Sequence, residues 1–180
     1  MVSLRFSIGQ TVTPPNTIEI VPYQSKYARE VSELFHICVH NIKHERYPPP
    51  LLDAWSQAPR SAKHWHLRLS RSQAWIILVT DATSFTKICV GFINVETDFH
   101  HRGDIDSLYI HPDWQRQGLG ELAYCHLESW ARLQGYSSLS VDASYLSKGL
   151  FTKMGFTQVQ RSYQQKLGQV LPSFYMIKKC

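Results

Sequence analysis

The chain lacks any apolar run approaching the ~20 residues that a membrane-crossing helix needs, and none of its cysteines is spaced as CxxC. The first absence excludes a helical membrane protein, and the second removes the usual dithiol and zinc-ribbon spacings. There are four cysteines, Cys38, Cys89, Cys125 and Cys180, and they are widely separated. Free thiols are therefore expected rather than a disulfide framework, with Cys38 and Cys89 as small core residues. Arg5 precedes no sustained apolar stretch with a small-residue cleavage site, so no secretory signal and a cytoplasmic residence are expected. Internal repeats and low-complexity tracts are missing. Acidic residues are in the minority, 14 against 19 Lys and Arg, for a formal net charge of +5. That balance permits nucleic-acid binding, but the basic residues are scattered and no nucleic-acid motif accompanies them, so no nucleic-acid or membrane partner is expected.

What is present fits one compact domain. At 180 residues with 43% hydrophobic content, the chain is long and apolar enough to bury its own core. Residues 1–17, punctuated by Pro14-Pro15-Asn16, read as a loosely ordered N-terminal extension, and residues 18–180 as a single domain. Residues 18–21 predict a strand. Val31, Leu34, Phe35, Cys38 and Ile42 form a helical stripe, which Pro48-Pro49-Pro50 interrupts before a short helix holding Leu51, Leu52 and Trp55. Arg60, Lys63, Arg68 and Arg71 accompany a helix predicted over about residues 61–70, as either a basic stripe beside an acidic ligand or a solvated helix face. Residues 74–80 and 87–97 predict antiparallel strands joined by a polar turn at 81–86. Near the end, a strand at 138–142, a short helix at 147–154 and strands near 156–163 and 173–177 complete the pattern.

The most informative stretch runs from Ile105 to Gly120, IDSLYIHPDWQRQGLG. Asp104–Ile110 suits a strand, and His111-Pro112-Asp113 ends it. Leu119, Leu122, Ala123, Leu127, Trp130 and Ala131 then recur at helical intervals, with Gly135 where a helix C-terminus wants a residue able to take positive φ. Gln115, Arg116, Gln117, Gly118, Leu119 and Gly120 sit at the helix entrance, where unbonded backbone N–H groups and the positive dipole end favour an anion. Gly118 and Gly120 carry no Cβ, so a pyrophosphate could approach the main chain closely.

This strand, Q/R-x-x-G-x-G/A loop and helix resemble motif A of the GNAT superfamily of acetyl-CoA-dependent N-acetyltransferases. GFINVETDFHHRGDIDSLYIHPDWQRQGLG, VDASYLSKGLFTKMGF and GQVLPSFYMIKK, with YPPPLLDAW and SQAWIILV upstream, resemble its small single-domain YafP-like branch. The resemblance covers residues 18–179. It implies the α/β GNAT fold, a mixed, mostly antiparallel sheet splayed at the cofactor cleft with helices on both faces. The predicted order β-α-α-β-β-β-α-β-α-β-β is consistent with that fold. It also implies acetyl-CoA as cosubstrate, its pantetheine bonded to exposed backbone at Leu108 and Ile110. Tyr109, Ser144 and Phe151 join those residues and the Gln115 to Gly120 loop in the cofactor set.

Amine acetylation needs a base, because an alkylammonium has its lone pair occupied by a proton. Asp104 and Asp106 are candidates, two residues apart and so on one strand face. In the superfamily, the first position carries the carboxylate base of histone-acetylating members, and both carry histidines in the arylalkylamine-acetylating branch. Two such carboxylates would raise one another's pKa, although both also suit a solvated strand edge. Glu96, near the end of the preceding strand, is the third candidate.

The general acid departs from the family pattern. Where many members have Phe-Tyr, this chain has Leu150-Phe151, and Phe151 has no proton to give. Ser144 and Tyr145 are substitutes by location, Tyr145 being equally a packed aromatic; otherwise solvent protonates the leaving thiolate. His44, Tyr47, Leu51 and Trp55 offer an aromatic and apolar wall for the acceptor. His36, His40 and His44 recur every four residues but span about 12 Å, too far for one ion, so no metal is expected. The expected activity is direct acetyl transfer to a primary amine of a small molecule or peptide in a ternary complex, by a monomer or homodimer without an acetyl-enzyme. A non-catalytic acyl-CoA sensor is the alternative.

Overall fold

The computed structural model describes residues 17–80, 86–98 and 100–180. The expected extension lies outside them except for Thr17, as does the expected turn except for Thr86. Twelve principal elements follow one another: β1 (Thr17–Pro22), α1 (Ala28–His40), α2 (Pro49–Trp55), α3 (Ala62–Leu69), β2 (Gln73–Thr80), β3 (Lys87–Val95), β4 (Asp104–Ile110), α4 (Leu119–Leu133), β5 (Ser138–Ala143), α5 (Lys148–Lys153), β6 (Thr157–Lys166) and β7 (Gln169–Lys179). The seven strands form one sheet in the order β1-β2-β3-β4-β5-β7-β6. β4 and β5 pair parallel, and the other neighbours pair antiparallel.

Both faces of the sheet centre are covered. Trp75, Ile77, Val79, Ile93 and Ile105 meet Leu119, Ala123 and Leu127 of α4 on one side. Ala74, Ile76, Leu78 and Phe92 meet Val31, Leu34, Trp65 and Leu69 of α1 and α3 on the other. This double covering explains the nearly continuous apolar run of β2, where a one-sided strand would alternate. A third cluster seats α2 on the far end of the sheet, with Val39, Tyr47, Leu51, Leu52 and Leu171.

Several local expectations are revised. Helix α1 ends at His40, because Asn41 caps it through its backbone and its Nδ2, both bonding the Ile37 carbonyl; Ile42 therefore lies past the helix. Pro49 and Pro50 start α2 rather than merely interrupt, since the first helical turn needs none of their missing N–H groups. Helix α3, capped by Ser61 Oγ accepting from the His64 N–H at 3.2 Å, fills the stretch predicted helical at 61–70, so three helices precede β2 where the predicted order had two. On α4 the inward face takes Tyr124, fully buried, while Leu122 is 45% exposed. Gly135 has the expected positive φ of 72°. β6 and β7 run on to meet in a two-residue turn, Leu167 and Gly168, with φ of 47° and 76°, the backbone signs of a type I′ hairpin.

Candidate active site

The parallel pairing of β4 and β5 is confined to Asp104↔Ser140 and Ile105↔Val141, after which the strands part. On the other edge of β4, Asn94↔Ser107 is followed by Val95↔Ile105, so Asp106 is the extra residue of a β-bulge. The bulge turns Asp106 and Ser107 to one side, where Ser107 Oγ donates to Asp106 Oδ2 at 3.0 Å. The ladder also dictates which backbone groups stay open. His111 N–H donates to the Val90 carbonyl at 2.8 Å, so by antiparallel alternation Tyr109 is the next residue bonded to β3. Leu108 and Ile110 therefore turn their N–H and C=O groups away from β3, toward the opening. The Ile110 carbonyl is already engaged there, accepting from Gln115 Nε2 at 2.9 Å and from Cys38 Sγ at 3.2 Å. Burial pushes the Cys38 thiol up to about 12, with Cys89 adding to it.

Beyond β4 the chain makes a short 3-10 turn at Pro112–Trp114 and reaches Gly118, the N-cap of α4, at φ 82°. No side chain caps this end, and the first intrahelical bond runs from Leu122 N–H to the Gly118 carbonyl. The N–H groups of Leu119, Gly120 and Glu121 thus precede the helical ladder and are open to an anion. A Cβ on Gly118 would meet nothing within 4 Å, so the space in front of the loop is open; one on Gly120 would lie 3.3 Å from Leu150 Cδ2. Arg116 lines the same space. A pyrophosphate suits these donors. Gln117 instead folds back, its Nε2 donating to the Asp113 carbonyl at 3.0 Å, and does not line the cleft.

The loop opens into a cleft of about 1340 Å³. Leu108, Tyr109, Ile110, Gln115, Leu119 and Gly120 line it, with Ser144 and Phe151 opposite and Asp106 and Trp55 farther along. Asp106 is held by Arg68 of α3, whose Nη2 donates to Oδ1 at 2.7 Å and to Oδ2 at 2.8 Å, and whose Nε donates to Oδ2 at 3.1 Å. Asp104 sits at the closed end, accepting from Ser140 Oγ at 3.0 Å, and burial pushes its carboxyl up. Burial, then the Asp106 charge, push Glu96 up against the opposing pull of Arg68, although Glu96 does not itself line the cleft.

Three of the four residues expected to form the acceptor wall lie elsewhere. Tyr47 and Leu51 are core residues, 3% and 5% exposed. The Tyr47 hydroxyl donates to the Pro172 carbonyl and accepts from the Tyr145 N–H at 3.0 Å, tying the α1–α2 connection to β7 and to the segment after β5. His44 packs on Tyr47 and Tyr145. Tyr145 is a packed aromatic, 4.8 Å from the Phe174 ring, and stands outside the cleft lining. Ser144 Oγ accepts from the N–H groups of Leu146 and Ser147, each at 3.2 Å, and so holds the turn into α5. Phe151 is 2% exposed against Tyr124 and Phe156. His36 and His40 both bond Ser56, fastening α1 to the end of α2.

Sequence reasoning missed Lys166, His64 and Asp142, all of which line the cleft. Lys166 and Asp142 lie in short polar-apolar strand patterns that carry no signal of a site. Arg60 and Arg68 did carry one, as members of the basic set around α3, but Arg71 and Lys63 do not line the cleft.

A model of the Acetyltransferase (GNAT) family matches residues 37–156, and the chain belongs to that family of N-acetyltransferases. The uncharacterized N-acetyltransferase YafP of Escherichia coli (strain K12) is 27% identical over 161 residues, 89% of this chain and 95% of the relative. A GCN5-related N-acetyltransferase (aminotransferase, class-II) from Rhodopseudomonas palustris has a TM-score of 0.79 at 26% identity, over 96% of this chain and 100% of the other. YncA from Salmonella typhimurium, whose structure holds acetyl-CoA, shares the fold at a TM-score of 0.64 and 16% identity, over 90% of this chain and 93% of its own.

Proposed function

We propose that the chain transfers the acetyl group of acetyl-CoA directly to a primary amine seated beside it. The observation that carries this is the continuity of the uncapped α4 N-terminus with the open β4 edge at Leu108 and Ile110, in one cleft that also holds Asp106. The N–H groups at 119–121 and Arg116 hold the pyrophosphate. Leu108 offers its N–H and C=O to the pantetheine, whereas Ile110 offers only its N–H, its carbonyl being engaged. The reducing cytoplasm suits a chain whose four cysteines are free thiols.

The amine sheds its proton first. Arg68 occupies both oxygens of Asp106, so the proton goes instead to Glu96, which is pushed up by burial and by Asp106 and acts through water. The neutral amine then attacks the thioester carbonyl carbon, the C–S bond breaks, and an amide and the CoA thiolate result. The Leu108 N–H, nearer Asp106 than that of Ile110, meets the thioester end of the arm and stabilises the oxyanion that develops there. Solvent protonates the thiolate, since Phe151 carries no proton and Ser144 is committed to the turn before α5.

Thermal unfolding with and without acetyl-CoA, run beside thiol release across an amine panel, tests this. Stabilisation with thiol release is the expected result. Phe151 in place of the family tyrosine favours a second reading, an acyl-CoA sensor, which stabilisation without thiol release would support. No shift with acetyl-CoA would overturn both.

A further inference from the structure

Asp106 precedes Ile110 by four residues on β4, so it stands about 13 Å along the strand from the residue nearest the anion loop. Around it, at the end of the cleft away from that loop, three cations converge from separate elements. Arg68 comes from α3, Arg60 from the segment before α3, and Lys166 from the last position of β6, beside the Leu167–Gly168 turn. The backbone that carries Arg60 and Lys166 is fixed, and so is the Arg68 side chain. Ser32 Oγ of α1 donates to the Arg60 carbonyl at 2.6 Å, Asp106 grips Arg68, and Lys166 is the register partner of Gln169 in the closing hairpin.

Two of the cations at this end have no ion-pair partner: Asp106 neutralises Arg68, but among the described residues neither Arg60 nor Lys166 takes part in an ion pair. Burial pulls the Lys166 ammonium down, and the Arg68 and Arg60 charges pull it further, against Asp106. His64, beside them, is likewise held toward its neutral form by burial and by Arg60 and Arg68. Asp106 and Asp142 share this lining, but Arg68 holds both oxygens of Asp106, so Arg60 and Lys166 remain two cations without an ion-pair partner among the described residues and favour an incoming anion.

On the strength of the transferase reading above, we propose that the acceptor is an anionic amine, a small primary amine that also carries a carboxylate or phosphate. Arg60 and Lys166 take the anionic group, while Asp106 positions Arg68 beside them. A guanidinium fork and an ammonium together suit an oxyanion bearing several acceptor oxygens.

Matched pairs of amines test this: amino acids against their carboxamides, and phosphoethanolamine against ethanolamine. The readouts are thiol release from acetyl-CoA, and the extra thermal stabilisation each amine gives in the presence of CoA. The anionic member of each pair should have a kcat/KM higher by about tenfold or more, the scale of a charge-assisted hydrogen bond. Arg60→Gln and Lys166→Gln should erase that preference through KM while keeping the acetyl-CoA thermal shift of the parent. Equal or better use of the neutral member, or a preference that survives both substitutions, overturns the proposal. So does a wild-type protein that acetyl-CoA stabilises but that shows neither turnover nor extra stabilisation with any anionic amine. Loss of the acetyl-CoA shift itself would sink the transferase reading instead.

Discussion

Arg68 of α3 grips both carboxylate oxygens of Asp106 on β4, at 2.7 and 2.8 Å, across 38 positions of sequence. The pair joins the helical layer to the bulged strand at the point where the sheet opens. Its side chains are 43% and 24% exposed, so solvent screens it and its contribution to stability is small.

Arg68→Met should therefore lower stability by no more than about 1 kcal/mol. It should depress kcat/KM for the acceptor much more, because Asp106 loses its partner and the cleft a cation. Arg68→Lys should recover little, since an ammonium cannot reproduce the planar fork. Urea unfolding set beside steady-state kinetics separates the two effects.

As the proposed base, Glu96 should give the activity an acid limb. Its carboxyl is pushed up by burial and by Asp106, so the basic form is lost, and the rate falls, as pH drops through that raised value. Glu96→Gln should cost about 10²-fold or more in kcat and flatten this limb. Asp106→Asn should move the limb to lower pH, because it removes a charge that raises Glu96 and leaves Arg68, which lowers it, unpaired. A pH–rate profile of the three proteins decides the matter, and an unmoved limb in Asp106→Asn would count against Glu96.

At the anion loop, Gly118→Val places a β-branched residue at φ 82°, a strain of roughly 1–3 kcal/mol. Gly120→Trp has Leu150 Cδ2 only 3.3 Å from its Cβ and fills the approach to the N–H groups at 119–121. The Trp variant should still fold, with a far-UV spectrum like that of the parent, yet lose its acetyl-CoA thermal shift. Unchanged acetyl-CoA affinity in that variant would refute the assignment of the loop.

His36 makes the fold acid-sensitive. Burial and the nearby His40 hold its pKa below the ordinary 6.5, so the unfolded chain takes up the proton first. Stability from this group is fully present above about 6.5 and is lost as pH falls from there toward the lowered folded value. Denaturant midpoints measured at descending pH should decline more gently in His36→Gln than in the parent.

The core of the anion site was legible in the sequence because its determinants are local. Strand β4, the proline that ends it, the glycine loop and the α4 stripe lie within thirty consecutive residues, and Asp104–Ile110 has the predicted bounds. The rest depends on contacts that no local pattern encodes. Nothing around Asp106 announces a bulge or a partner on α3, and Lys166 sits in a polar edge strand whose hairpin turn uses a leucine at positive φ. Tyr47 shows the opposite failure. An aromatic beside three prolines looks the same in sequence whether it faces a ligand or, as here, bonds Pro172 and Tyr145 inside the protein.

The thiol of Cys38 lies along the cleft wall, bonded to the Ile110 carbonyl beside the strand edge where the pantetheine arm would run. Burial pushes its pKa up to about 12, so the thiol keeps its proton at neutral pH. A thiolate on that wall would be a second nucleophile, able to take an acyl group by thioester exchange. By holding the proton on sulfur and spending the S–H on a backbone carbonyl, the fold keeps that thiol out of the chemistry of the cleft.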